Sequence, residues 1–381
     1  MEQIKDKQPS ARVETFRMEG RGGVTELHLM IHATDVRATF AEQLEAVLAA
    51  YSDARRAEGP EAVSVFWRCF VSDAANQEDE VVSRLLDTTD CAVSVVEQAP
   101  LDGTKVALWA YLMTGVRTRL LPGGGCEVAH GAYRHWWTAG YRNLEEGSEW
   151  QTRLLLNDYV LRLAALGGRL AQHCLRTWFF VQNVDVNYAG LVKARNEVFV
   201  TQGLTPQTHF IASTGIAGRA ADPRVTVLMD AYAVDGLCEG QVRHLHAPAH
   251  MNPTHEYGVS FERGTQVDYG DRRQVFISGT ASIDNQGQVV WPGDIRRQTQ
   301  RMWDNVEALL QEAECTFDEV GMMIVYLRDG SDYTVVRALF DERFSRVPKV
   351  IVRAAVCRPG WLIEMECMAV KTLPPNGFPD F

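Results

Sequence analysis

One order of elements recurs three times along the chain, and a long-period repeat limits the fold more than any single motif does. In the last third, Asp294 is placed to cap a helix running to 314, because Ile295, Met302, Val306, Leu309 and Leu310 recur at near-helical spacing. Thr316 and Glu319 form a capping-box pattern ahead of the apolar run 322–327, which reads as a buried strand. A helix over 333–344, a strand over 350–356, a Pro359-Gly360 turn and a closing strand over 361–370 complete the set. The middle third repeats the order with a helix at 154–174, the stretch 177–199, then 210–218 and a strand at 225–234. The first third repeats it at 40–51, 65–77, 92–103 and 105–113.

The closing strands align best. Trp109-Ala110-Tyr111, Asp230-Ala231-Tyr232 and Glu366-Cys367-Met368 fall at matching places. A chain of 381 residues is too long for one ordinary core, and domains of roughly 100–200 residues predict two or three. The expected fold class is therefore α+β: three tandem units of one kind, each a mixed sheet with helices on one face. The boundaries read as an N-terminal extension over 1–24, unit 1 over 25–115, unit 2 over 130–236, a connector over 237–256 and unit 3 over 257–373.

A formal charge of −11 and the lack of any Lys/Arg run argue against nucleic acid as a partner. No stretch of about 18 apolar residues offers a membrane span, and the first residues carry no apolar core of a leader. The expected location is the cytoplasm, with eight scattered cysteines as reduced thiols. His244, His246 and His250 form the one histidine cluster; it lies in a Pro-containing connector without a carboxylate at helical spacing, so no metal is expected. No dinucleotide or phosphate-loop fingerprint is present, and no cofactor is expected.

Candidate chemistry concentrates in unit 3. Glu364 and Glu366 alternate with apolar residues on one strand, which sends both carboxylates to one face. Glu366 matches Asp230, whereas Glu364 stands where the sister units keep Leu228 and Ala107. A carboxyl buried there would hold a proton for delivery to an enol ether or enamine carbon. Ser278 and Thr280, beside Gly279 where a strand runs out, offer hydroxyls to a ligand; no partner marks either as a nucleophile. Arg263 and Arg358 offer forks for a carboxylate, and Tyr257 and Tyr333 offer rings or hydroxyls.

Unit 3 also resembles a known family. SFERGTQVDYGDRRQVFISGTASID, WPGD and PKVIVRAAVCRPGWLIEMECMAV look like the RidA superfamily, often labelled endoribonuclease L-PSP, whose units have a chorismate-mutase-like fold. That resemblance covers about 257–371 well and the two earlier units more faintly. RidA proteins are homotrimers with ligand sites in the clefts between subunits, so three fused units imply a single-chain pseudo-trimer. The superfamily's imine deaminases carry an Arg at the start of the penultimate strand; here that place falls near Lys349 and Val350, with no Arg. SGTASI, STGIAG and VCRPGWLIEMEC are similar to the chorismatases, a branch that splits chorismate by hydrolysis or elimination. That likeness implies Glu364 as proton donor and Cys357 as a cavity wall. It also implies an enzyme acting without cofactor on a small anionic metabolite. Enamine or imine deamination, and a non-catalytic metabolite-binding or biosynthetic partner protein, stay open as alternatives, as does self-association of the pseudo-trimers. Ribonuclease activity fits poorly with the acidic charge.

Overall fold

The computed structural model describes residues 10–85 and 91–381. Sheet 1 is built from β1 (Ala11–Glu19), β2 (Thr25–Ala33), β3 (Val63–Val71), β4 (Ala92–Glu97) and β5 (Val106–Thr114), with helices α1 (Phe40–Ala57) and α2 (Ala74–Leu85). Sheet 2 contains β6 (Arg117–Leu121), β7 (Gly125–His130), β8 (Tyr133–Tyr141), β9 (Cys174–Val181), β10 (Ala212–Ala217) and β11 (Val227–Asp235). Its helices are α3 (Ser148–Ala165), the short α4 (Leu170–His173) and α5 (Val184–Thr201). Sheet 3 contains β12 (Val242–Leu245), β13 (Gly264–Asp268), β14 (Arg272–Ala281), β15 (Val320–Leu327), β16 (Lys349–Arg353) and β17 (Ile363–Thr372), with α6 (Ile295–Glu312) and α7 (Tyr333–Arg343). Asp294 caps α6 through a bond from the Arg297 amide, and Thr316 and Glu319 form the expected capping box.

The repeat is visible in the strand order. Each sheet contains the same four-strand block: β2-β5-β3-β4, β8-β11-β9-β10 and β14-β17-β15-β16. In every block only the last pair is parallel, and the closing strand lies between the first and second. Register makes positions comparable between units. Glu364 faces Tyr326, Leu228 faces Phe180, and Ala107 faces Phe70 on the respective middle strands. The remaining strands are additions outside the block. β1 pairs along its whole length with β2, so the expected N-terminal extension contributes an edge strand; residues 1–9 of that extension lie outside the described residues. Likewise the expected connector supplies β12, which contains His244 and pairs with β13. Its alternating Val242 and His244, half-buried beside exposed Arg243, carry the period-2 signal, too short to stand out from sequence.

Alternation along the strands divides the core. In unit 1, Trp67, Cys69 and Val71 pack beneath α1 and α2, while Phe66 and Phe70 point to a central cluster shared by all three units. There Phe66 meets Trp109 and Trp137 at ring-centroid distances of 5.2 and 5.0 Å, and Trp137 stacks on Tyr232 at 4.3 Å. The units close into a ring 1→2→3→1. The end of each edge strand bonds the loop before the next unit's closing strand: Glu97 N donates to Arg219 O (2.9 Å), Ala217 N to Ala355 O (3.1 Å), and Arg353 N to Ala99 O (2.8 Å). A buried ion pair crosses each interface as well: Arg68–Asp230 (2.8 Å), Arg176–Glu366 (2.7 Å) and Arg272–Glu26 (2.8 Å). Desolvation offsets most of the attraction in such pairs, so their net contribution to stability is small, although removing one partner would leave a buried charge uncompensated. Among the described residues no helix is long and apolar enough to cross a membrane.

Candidate active site between units 2 and 3

Each cleft is built from the edge strand and preceding helix of one unit, set against the first strand, closing strand and intervening loop of the next. Between units 2 and 3 this leaves a cavity with about 510 Å³ of empty space, mouth included. Unit 2 contributes Tyr188 and Arg195 from α5 and Ser213 and Gly215 from β10. Unit 3 contributes Gly279 and Ala281 from β14, Cys357, Arg358 and Trp361 from the loop before β17, and Glu364 on β17 itself. Tyr257, Val259, Phe261 and Arg263 close the remaining side.

Glu364 is only 5% exposed and, among the described residues, receives no hydrogen bond. Burial raises its carboxyl to about 8; the charge of Glu366 adds to this, and Arg176 and Arg263 oppose it. At neutral pH the group holds its proton. Gly279 makes room for it, since a Cβ there would sit 2.1 Å from Glu364 Oε1 and 3.0 Å from Thr214 Cγ2. Glu366, two residues on along the same face, is engaged instead: Arg176 and Trp178 Nε1 each donate at 2.7 Å, and the Thr214 hydroxyl also donates. One strand thus carries a neutral acid at the cavity and an ion-paired carboxylate beside it.

Two arginines line the same cavity almost fully buried. Arg195 is 1% exposed, with no partner for Nε or Nη2; Arg263 is 4% exposed, gives Nη2 to Asn252 O at 3.0 Å, and leaves Nε without one. Unpaired buried guanidinium groups are costly, and a carboxylate is their matching partner. Arg358 is half-buried, its guanidinium 4.8 Å from the centre of the Tyr257 ring and 5.2 Å from that of Trp361. Burial pushes the Cys357 thiol up to about 12, helped by the charge of Glu364, so it is a thiol wall and not a thiolate. Burial also raises the Tyr188 and Tyr257 phenols. Among the described residues no group of three or more His, Cys, Asp or Glu side chains is gathered as metal ligands would be.

Of the residues singled out from sequence, Glu364, Arg263, Cys357, Arg358 and Tyr257 come together here. Ser278 and Thr280 do not line the cavity. Ser278 Oγ donates to Glu262 O (2.6 Å) and accepts from Ser213 N (2.9 Å), tying unit 3 to unit 2; Thr280 Oγ1 donates to Ser278 O (2.9 Å). A bulge in the β14–β17 register between Ile277 and Thr280 accompanies this, and Gly279 and Ala281 form the wall instead. Tyr333 lies in the cleft between units 3 and 1. Arg195 and Tyr188 were missed. Arg195 shares a helical face with buried Leu191 and Val198, so an arginine at core spacing in α5 was the available signal.

Residues 265–371 match the family described as Endoribonuclease L-PSP. The chain is 33% identical over 99 residues to a RutC family protein of Pyrococcus abyssi, an alignment covering 26% of this chain and 78% of that one. It is 31% identical over 99 residues to a RutC family protein of Pyrococcus horikoshii, covering 26% and 79%. The fold is similar to that of a solved chorismatase, with a TM-score of 0.65, 18% identity, and coverage of 94% of this chain and 99% of that one.

Proposed function

Because the chain belongs to the RutC family, through its third unit, we propose that it is an enzyme acting on a small anionic metabolite in the cleft between units 2 and 3. One observation carries this reading: a protonated carboxyl, Glu364, shares a cavity with two buried guanidinium groups, Arg195 and Arg263, each with at least one buried N–H left without a partner. Arg195 and Arg263 would hold carboxylates of the substrate, and Tyr257 and Trp361 would border its ring. An enol ether of the chorismate kind, with two carboxylates, suits this set. Glu364 gives its proton to the terminal carbon of the enolpyruvyl double bond, leaving an oxocarbenium ion beside the ether oxygen. The resulting Glu364 carboxylate offsets that charge. Water adds to the cationic carbon, and collapse of the hemiketal breaks the C–O bond to release pyruvate and the ring alcohol. In the elimination branch the ring-to-oxygen bond breaks, and loss of a ring proton gives an aromatic product. No cofactor enters either route.

Deamination of an enamine is the runner-up, since Glu364 could protonate that carbon equally well. Against it, the place where imine deaminases carry a carboxylate-gripping Arg is taken by Lys349, which lines the neighbouring cleft. The test is to follow pyruvate from chorismate and ammonia from freshly generated 2-aminoacrylate with the purified protein. Pyruvate that disappears in Glu364→Gln is the expected result. Ammonia from 2-aminoacrylate would shift the reading to deamination. Silence with both, alongside saturable chorismate binding by calorimetry, would make this a metabolite-binding protein.

A further inference from the structure

Unit 2 departs from its sisters in where its first helix lies. α1 packs over β1, β2 and β5, and α6 over β14 and β17, whereas α3 packs chiefly against α5 and β11. The helix side of β7 and β8 is left partly uncovered, and a cavity with about 1000 Å³ of empty space, mouth included, opens between those strands and the second half of α3. Its whole lining comes from sheet 2, α3 and their adjoining turns, away from the clefts between units. Trp136 on β8 and Tyr159 and Leu163 on α3, each 2% exposed or less, form the floor, with half-buried Leu121 and Leu166 beside them.

Two hydroxyls face this apolar wall. Thr138 and Tyr141 are three residues apart, which in a regular strand sends side chains to opposite faces. Here β8 carries one extra residue against β11, next to Gly140 with its φ of 63°, and the Gly140 amide bonds Asp230 Oδ1 at 2.8 Å. The bulge turns Tyr141 to the side of Thr138, and both line the cavity. Thr138 is 8% exposed and Tyr141 7%, yet among the described residues neither hydroxyl has a hydrogen-bond partner. A buried tyrosine hydroxyl usually finds one. Burial pushes the Tyr141 phenol up to about 12, so it stays neutral and can both donate and accept. The charged side chain on the wall, Arg162, is already committed: it donates to Asp158 Oδ2 and to Pro122 O, each at 2.8 Å, and lies 4.5 Å from the centre of the Tyr141 ring. An ionised ligand would find no unpaired counter-charge here. Two spare hydroxyls in an aromatic and aliphatic wall instead match a single oxygen on a flat apolar body.

We propose that this cavity of unit 2 is a second ligand site, for an uncharged, planar, largely apolar molecule with one hydroxyl or carbonyl oxygen, held by the Thr138 and Tyr141 hydroxyls. The site does not depend on the reaction assigned to the Glu364 cavity. Calorimetric titration of the full chain with 2-naphthol tests it, with naphthalene as the control without oxygen and 2-naphthoate as the charged control. 2-Naphthol should bind saturably, at one site per chain, several-fold more tightly than either control. The double variant Thr138→Val/Tyr141→Phe should weaken 2-naphthol about tenfold, the worth of two neutral hydrogen bonds, and leave naphthalene unchanged. Ala165→Trp, at the exposed end of α3, should obstruct the mouth and weaken both, and it serves as the second probe where the double variant does not fold. Glu364→Gln should leave binding as it is. The proposal is overturned by no saturable binding of 2-naphthol, by 2-naphthoate binding as tightly, by a double variant that weakens naphthalene as much as 2-naphthol, or by binding that survives Ala165→Trp. Loss of binding in Glu364→Gln would also overturn it, by placing the probe in the other cavity.

Discussion

The cleft between units 1 and 2 and the cleft between units 2 and 3 are made from the same strands in the same register, yet only the second holds the acid and its arginines. Where unit 2 presents Ser213 and Gly215, unit 1 presents Val93 and Val95. Where unit 3 places Glu364, unit 2 places Leu228, 2% exposed. The mouth between units 1 and 2 is bridged by the Arg142–Glu78 ion pair, and the other Glu78 oxygen accepts the Ala221 amide at 2.7 Å. The difference teaches that this architecture supplies a cleft by default. The second cleft differs by trading two valines for a serine and a glycine and by burying one carboxyl.

The largest expected effect is from carrying unit 2's choice into unit 3. Glu364→Leu should lower turnover by about 10²–10⁴-fold, the usual worth of a positioned general acid, while the chain stays folded. The wild-type rate should fall as pH rises through about 8, because only the protonated form donates. Stability gives an independent readout of the same group. Its folded-state pKa is raised above the ordinary 4.5, so its contribution is complete below that value and is lost as pH rises through about 8. Melting temperatures measured at pH 5 and pH 9 should therefore diverge, with Glu364→Leu gaining on the wild type at the higher pH. A gap that stays constant with pH would mean that Glu364 does not titrate there.

Next in size are the ties that hold the two clefts in register. Arg68→Met leaves Asp230 buried without its partner and should cost about 3–5 kcal/mol in urea unfolding. Asp230 also accepts the Gly140 amide at 2.8 Å, so the double variant Arg68→Met/Asp230→Leu recovers most but not all of the loss. If the single variant costs no more than a surface pair, the central ion pairs do not specify the ring.

Much of this was legible in the sequence because it depends on periodicity. The recurring order of elements, the caps of α6 and of the turn at Thr316, and the singular acid at 364 follow from the spacing of apolar and polar residues, whereas the strand order of the blocks does not. What escaped depends on neighbours distant in the chain. Ser278 looked free because nothing near it in sequence competes for its hydroxyl, yet Ser213 and Glu262 claim it across the fold. Arg195, at core spacing in α5, lines the cavity only together with residues of unit 3, which no pattern within α5 specifies. A register bulge at Ser278-Gly279 turned the strand's polar ending inward, and no local pattern encodes that.

A smaller effect tests the wall. Gly215→Val restores the residue that unit 1 keeps as Val95; a Cβ at Gly215 would sit 3.0 Å from Tyr188 Cε2, so the larger side chain crowds the cavity. Overpacking of this kind costs about 1–3 kcal/mol. Ligand affinity should fall by more than stability does, read as a rise in KM at a kcat that changes less. Equal losses in both would assign Gly215 to packing alone.

The smallest expected effect is at the bridge itself. Arg142 is 43% exposed, so its pair with Glu78 is a rim contact, and Arg142→Ala should cost about 1 kcal/mol or less. Because the pair reaches solvent, the cost should shrink further in high salt, unlike that of Arg68→Met. Hydrogen exchange at the Ala221 amide should quicken, since Glu78 loses the cation that orients it. A cost near that of Arg68→Met, insensitive to salt, would instead make the bridge one of the ties that close the ring. The cleft between units 1 and 2 would then be shut by assembly and not merely lined by valines.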